Sequence, residues 1–393
     1  MTRPKLVIGQ SGGPTPVINA SLAGILEQAG QDGRLGEVWG LHHGIEGALA
    51  GDLVPLAGLD SAALERLALT PAAALGSCRR RLEGPEEVER VLATFRRHDV
   101  RWFCYIGGND SMDTCHRLQA AAARAGYDLA VFGVPKTIDN DLVETDHCPG
   151  YGSAARYWAI STQEATLDLA AMRTYDRVLV LECMGRNAGW LAAATATYKR
   201  DDRDGPHVLL TPERPFDEER FLSAVQEALT RTGYCVVAAS ETIRRPDGAY
   251  VAGVRLGADR FGHPIVTAVG ETLAQLVWQR LRVKARAAKP GTLQRASSAL
   301  VSPVDRDEAR GAGREAARRL AAGERGGVVT LVRTADAPYR CEFGVVPLEA
   351  VANRERPLPA RFLAPNLAGV TPEFVAYAAP LLGPAVPPFF RLG

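Results

Sequence analysis

The sequence predicts an α/β protein with a doubly wound, mostly parallel sheet, and three observations carry that expectation. Short apolar runs recur along the chain, helix-like stretches lie between them, and unusual glycines and charged residues gather just after the runs. The runs are Leu6 to Ile8, Trp102 to Ile106, Leu129 to Val134, Val178 to Leu181, Val208 to Leu210, Cys235 to Ala239 and Val328 to Val332. Their length and β-branched content suit strands buried on both faces. Ala20 to Ala29, Glu86 to Arg97, Ser153 to Met172, Glu218 to Thr230 and Arg306 to Ala322 read as the intervening helices, and such alternation is the signature of βαβ units. At 393 residues the chain exceeds what one core fills, so two domains or one large doubly wound unit are expected.

Composition narrows the function. Apolar residues at 46% and charged residues at 23% fit an ordinary globular chain and exclude wholesale disorder. A net charge of +1, from 46 basic and 45 acidic residues, provides no overall field for nucleic acid or an anionic membrane, so neither is an expected partner and any anion site is local. The seven cysteines are scattered without a C-x-x-C pair and read as reduced thiols. The seven histidines show no metal-ligand spacing, so no zinc site is expected. No leader precedes Lys5, and no apolar run approaches the roughly 18 residues of a membrane span, so a cytoplasmic protein is expected. Only five lysines stand against forty-one arginines, which singles out Lys136 within an otherwise apolar segment.

Ligands of doubly wound sheets sit beyond the carboxyl ends of the strands, so the segments after each run are the candidate site. After the first run, Gly12 and Gly13 suit close approach of a phosphate to bare backbone N–H groups, and equally suit a tight structural turn. Neither the P-loop nor the G-x-G-x-x-G pattern is present there. Gly9-Gln10-Ser11-Gly12-Gly13 formally matches a hydrolase elbow, but Pro14 and Pro16 delay the helix that such an elbow needs.

After the second run, Gly107-Gly108-Asn109-Asp110 offers a carboxylate suited to a metal-bridged phosphate chain, or else an Asn-Asp cap on a helix beginning near Ser111. After the third, Pro135 to Asp141 is expected to stay extended, which puts Asp139 and Asp141 on one side, about 6.6 Å apart. Lys136 and Asn140 among them complete the mix needed to deprotonate a hydroxyl beside a phosphoryl group. Met184-Gly185-Arg186 follows the fourth run, and Arg186 is placed to hold a phosphate bidentately. Ser240-Glu241-Thr242 follows the sixth. Arg177, Arg286 and Arg295 are open to the plainer reading of solvated surface charge.

These residues, in this order, resemble the phosphofructokinases of the bacterial type over nearly the whole chain. Gly12 to Asn19, Leu75 to Arg79 and Gly107 to Ser111 resemble the family's phosphate segments, Pro135 to Asp141 its catalytic loop, and Gly291 to Arg295 a late substrate segment. The resemblance implies two Rossmann-like domains with the active site in the cleft between them. Residues 1–150 plus about 294–350 would bind the phosphoryl donor, and about 151–293 plus 351–393 the sugar phosphate.

ATP-using members carry glycine where Asp110 and Lys136 stand, whereas pyrophosphate-using members carry this aspartate and lysine. The resemblance therefore implies Mg²⁺-dependent, reversible transfer from pyrophosphate to the C1 hydroxyl of fructose 6-phosphate, a step of glycolysis. Physically, a carboxylate at Asp110 would repel the α-phosphate of ATP by about 4 kcal/mol at about 4 Å and an effective dielectric near 20. By the same match, Asp139 is the general base and Asp141 its support. Gly12, Gly13, Arg79, Gly108, Asp110 and Lys136 bind the donor, with Asp110 at the metal. Thr137, Met184, Gly185, Arg186, Glu241 and Arg295 hold the sugar phosphate, and Arg177 and Arg286 reach it from an adjacent subunit of a homodimer or homotetramer.

Asn109 and Thr292 depart from the family pattern, the first at a metal-associated aspartate and the second at a histidine or tyrosine. Ala23 and Glu27 replace effector-binding arginines. An ATP-dependent phosphofructokinase is the near alternative. A non-catalytic sugar-phosphate sensor and a lipid or NAD kinase are the distant ones.

Overall fold

A computed structural model describes residues 4–252, 254–258 and 264–391. Its strands in chain order are β1 (Lys5–Gln10), β2 (Glu37–Leu41), β3 (Leu53–Pro55), β4 (Val100–Gly107), β5 (Ala130–Pro135), β6 (Val178–Cys183), β7 (Val208–Leu210), β8 (Cys235–Ser240), β9 (Val254–Ala258), β10 (Pro264–Thr267), β11 (Ala285–Ala288), β12 (Gly326–Asp336) and β13 (Tyr339–Val346). All seven apolar runs are strands.

Two sheets organise the molecule. The larger has the order β13-β12-β5-β4-β1-β2-β3. Its inner pairings are parallel, and only the edge strands β3 and β13 run antiparallel. The smaller, β11-β6-β8-β7, is parallel throughout. A separate antiparallel pair joins β9 and β10. Strands β1, β5 and β8 are buried at every position, as expected for sheets covered by helices on both faces.

Each sheet carries a core on either face. Leu6, Ile8 and Phe132 pack with Ile18, Leu22 and Ala316 on one face of the larger sheet, and Val7, Phe103 and Val131 pack with Val91 and Phe95 on the other. Trp158, Trp190 and Phe374 fill one face of the smaller sheet, and Phe221, Val225 and Leu273 the other.

Helices Ile18–Gln31 and Pro303–Ala321 touch backbone to backbone on one face of the larger sheet. A Cβ on Gly24 would stand 2.0 Å from the Arg310 carbonyl oxygen, and one on Gly313 would stand 2.0 Å from that of Ser21. The helix starting at Ile18 begins two residues after Pro16, as the prolines require. In the C-terminal segment, Leu381 and Leu382 are buried in the core that contains Trp158. Among the described residues, no helix is long and apolar enough to cross a membrane.

Candidate active site

The carboxyl ends of β1, β4, β5, β6 and β8 open onto one cleft of about 570 Å³. Beyond β1 the chain turns at Gly12, whose φ of 79° favours glycine. The Gly12 N–H donates to the Cys78 carbonyl at 2.9 Å and its own carbonyl accepts from Ser77 Oγ at 2.6 Å, which draws Arg79 to the cleft. At Gly13 a Cβ would lie 2.6 Å from Arg295 Nη1, so the missing side chain makes room for that guanidinium. Among the described residues, the buried Nε of Arg295 has no hydrogen-bond acceptor, a donor left for a ligand.

Beyond β4, Gly108 is the N-cap of helix Asn109–Arg124, and Asp110 sits in its first turn without capping it. Arg81 Nε donates to Asp110 Oδ1 at 2.6 Å. Asn109 is occupied elsewhere: its Oδ1 accepts from the Asn353 N–H at 2.6 Å and its Nδ2 donates to the Arg354 carbonyl. That pairing lays Asn353 and Glu355 along the cleft.

Beyond β5, the Lys136 N–H donates to the Gly107 carbonyl at 2.9 Å, and its Nζ donates to the Gly13 carbonyl at 2.8 Å. The following residues do not stay extended. Asn140 adopts a left-handed φ of 56° and turns its side chain into the protein, away from the cleft. Its Nδ2 donates to Tyr377 Oη at 2.9 Å and its Oδ1 accepts from the Cys148 N–H at 3.0 Å. Arg356 grips the same turn from outside, donating to the Asn140, Thr145 and Asp146 carbonyls. Asp139 and Asp141 both reach the cleft because the chain reverses between them.

From the smaller sheet, Gly185 (φ 137°) and Arg186 (φ 42°) form a tight turn after β6. Gln294 Oε1 accepts from the Met184 N–H at 2.9 Å and from Trp158 Nε1 at 3.0 Å, which fixes both this turn and the neighbouring Arg295. Glu241 follows β8, its N–H donating to the Cys183 carbonyl at 2.9 Å.

Burial dominates the electrostatics. It pushes the Lys136 ammonium down to about 7, against the attraction of Asp139. Burial raises Asp139 despite the nearby Arg186, and it raises Asp141 with the further repulsion of the Asp139 charge. Glu241 is raised for the same reason. Cations and carboxylates thus face one another in one cleft, where burial strengthens the effect of each charge.

Gly12, Gly13, Arg79, Gly108, Asp110, Lys136, Thr137, Asp139, Asp141, Met184, Arg186, Glu241 and Arg295 all line this cleft, with Gly185 in the turn between two of them. Arg177 and Arg286 do not. They stand toward the amino end of β6, where Arg177 Nε donates to the Gly233 carbonyl at 3.1 Å and Arg286 Nε pairs with Asp176 at 2.8 Å. Arg81, Asn353 and Glu355 line the cleft unanticipated. Arg81 lies two residues past Arg79 in an irregular stretch, a spacing that could have flagged it. Asn353 and Glu355 arrive from beyond β13 through the Asn109 side chain, which leaves no local pattern to read.

Paired α/β sheets sharing a cationic, carboxylate-bearing cleft at their strand ends define a protein built to hold phosphorylated anions. The chain belongs to the phosphofructokinase family, whose pattern matches residues 5–320. It is 43% identical over 387 residues to a pyrophosphate–fructose 6-phosphate 1-phosphotransferase of Xanthomonas campestris pv. campestris (strain B100), covering 97% of this chain and 92% of that protein. A protein of the same description from Halomonas elongata is 42% identical over the same shares. The crystal structure of a pyrophosphate-dependent phosphofructokinase from Marinobacter aquaeolei superposes with a TM-score of 0.88 at 38% identity, covering 98% of this chain and 94% of that one.

Proposed function

We propose that this cleft transfers a phosphoryl group reversibly between pyrophosphate and the C1 hydroxyl of fructose 6-phosphate, yielding fructose 1,6-bisphosphate and phosphate. The observation that carries the donor assignment is the pair Asp110 and Lys136 lining one cleft, with Lys136 buried against the Gly13 carbonyl and Asp110 locked by Arg81. Similarity to enzymes described as pyrophosphate-dependent supports it.

The roles are those the family resemblance implies for residues that line the cleft. Arg79, Lys136 and the Gly12-Gly13 backbone surround the donor, and Met184, Arg186, Glu241 and Arg295 the sugar phosphate. Residues 1–150 with about 294–350 form the donor half, and the remainder the sugar half. Asp139 accepts the hydroxyl proton as the phosphoryl group transfers. Its raised proton affinity suits a base that must later return the proton in the reverse direction. Asp141 adds negative charge behind it, and Lys136 and Arg295 offset the charge on the transferring oxygens.

Mg²⁺ fits this donor set. Arg81 engages Asp110 through Oδ1, and one or two carboxylates plus phosphate oxygens are what Mg²⁺ commonly takes. Asp110 would hold it, and the ion would neutralise phosphate charge. Asn109, bound to the 353–354 backbone, would stand outside its shell. Arg177 and Arg286 would complete the sugar-phosphate pocket of a neighbouring subunit in a homodimer or homotetramer, acting in the cytoplasm.

Steady-state turnover of the purified enzyme with pyrophosphate and with ATP tests the reading. Turnover of fructose 6-phosphate with pyrophosphate well above that with ATP is expected, and the reverse order overturns it.

A further inference from the structure

Outside the cleft lining, three side chains from distant parts of the chain converge: His147 in the loop after the catalytic segment, Glu308 on helix Pro303–Ala321, and Cys341 on β13. One nitrogen, one oxygen and one sulfur, potential ligand atoms of these three, all lie within 4.8 Å of one another. We propose that His147, Glu308 and Cys341 form a zinc site that ties the loop of the catalytic segment to the edge of the larger sheet.

The donor types select the metal. Imidazole, carboxylate and thiolate together suit zinc, whereas Mg²⁺ and Ca²⁺ take oxygen ligands. Tetrahedral zinc holds ligand atoms about 3.4 Å apart, given its bond lengths of about 2.0–2.3 Å. His147 Nε2 and Glu308 Oε2 now touch at 2.7 Å, so that contact must open for an ion to enter, while the three ligand atoms, all within 4.8 Å of one another, adjust to the tetrahedral spacing.

The surroundings are those of a metal ligand. A metal-bound histidine ordinarily donates its other ring nitrogen to a carboxylate, and His147 Nδ1 lies 2.8 Å from Asp146 Oδ1. Arg333 holds that carboxylate in turn, its Nε 3.1 Å from the same oxygen. Tyr339 Oη donates to Glu308 Oε1 at 2.6 Å, which leaves Oε2 directed at the histidine. His147 is buried, and Cys341 is half-buried, so the thiol side gives access.

The consequence concerns the catalytic segment. The Asp146 carbonyl accepts from Tyr377 Oη at 2.9 Å, and the same hydroxyl accepts from Asn140. A filled site would restrain that chain of contacts.

Full-length protein stripped with EDTA and dialysed against ZnCl₂ should retain one zinc per chain beyond a Cys341→Ser variant treated identically. CoCl₂ should produce a thiolate-to-cobalt charge-transfer band that Cys341→Ser abolishes. Asp146→Asn should weaken zinc affinity about 10- to 100-fold. Cys341→Ser should keep the turnover of the metal-stripped enzyme, assayed with Mg²⁺, since Cys341 touches nothing in the cleft. Equal zinc retention by the two proteins, or a cobalt spectrum identical in both, overturns the proposal.

Discussion

Asn140 Nδ2 donates to the Tyr377 hydroxyl at 2.9 Å, joining the left-handed turn between two cleft aspartates to helix Pro372–Ala378 near the end of the chain. The hydroxyl passes the contact on to the Asp146 carbonyl. Tyr377→Phe deletes both bonds and leaves buried groups unpaired, at a cost of about 1–3 kcal/mol. Thermal unfolding should register that loss. Because the turn sets where Asp139 and Asp141 point, kcat should fall more than KM rises. A variant with lowered stability but unchanged kcat would show that the turn holds itself.

Asp139→Asn keeps the shape of the side chain and removes its capacity to take a proton. Turnover should drop about 100- to 10,000-fold, while calorimetric binding of fructose 6-phosphate persists. Near-normal turnover with intact binding would remove the base assignment.

Donor choice should respond to the Asp110 and Lys136 pair together. Asp110→Gly with Lys136→Gly removes a carboxylate that disfavours an α-phosphate, its charge partly offset by Arg81, and the cation that holds a short donor. The ratio of kcat/KM for ATP over pyrophosphate should rise. Asp110→Gly alone should do less, because Arg81 loses its partner and stays in the cleft. A ratio unmoved in the double variant would place donor choice elsewhere.

The pH profile has a worked sign. Lys136 must be charged to attract pyrophosphate, and burial brings its pKa down to about 7, so in the free enzyme the cation is lost as pH rises through neutrality. Asp139 must be ionised to act as base, and its raised pKa places the acid limb above the ordinary carboxylate range. The profile of kcat/KM for pyrophosphate should therefore be a narrow bell, its limbs belonging to the coupled cleft groups jointly. Lys136→Arg should carry the alkaline limb upward, since a guanidinium stays charged. An unchanged alkaline limb would assign it to another group.

If Arg286 serves a neighbouring subunit, Arg286→Ala and Asp139→Asn should complement one another. Mixing and reassembling the two impaired proteins should restore activity above either alone, and no recovery would confine the site to one chain.

How much of this was legible in the sequence depends on what kind of contact made each feature. The buried strands were readable because a strand covered on both faces must be apolar without interruption. The edge strands β3 and β13 and the short β11 lack that continuity, being partly exposed, and did not stand out. Lys136, Asp139 and Asp141 were found by their place after a strand. The extended path through them was wrong because Asn140 is held in its turn by Tyr377 and Cys148, and Tyr377 lies more than two hundred residues away. Asn353, Glu355 and the His147, Glu308 and Cys341 group share that origin: tertiary approach with no local spacing.

The larger sheet also orders events in time. Strand β12 adds to β5 through Gly326, Gly327 and Val328, yet the ribosome delivers it only after every strand of the smaller sheet has been made. Until then β5 presents an open, apolar edge, the kind of surface that invites pairing with another nascent chain. The protein's vulnerability during synthesis should accordingly centre on that delay, and truncation before Gly326 should yield aggregates rather than a half-sized enzyme.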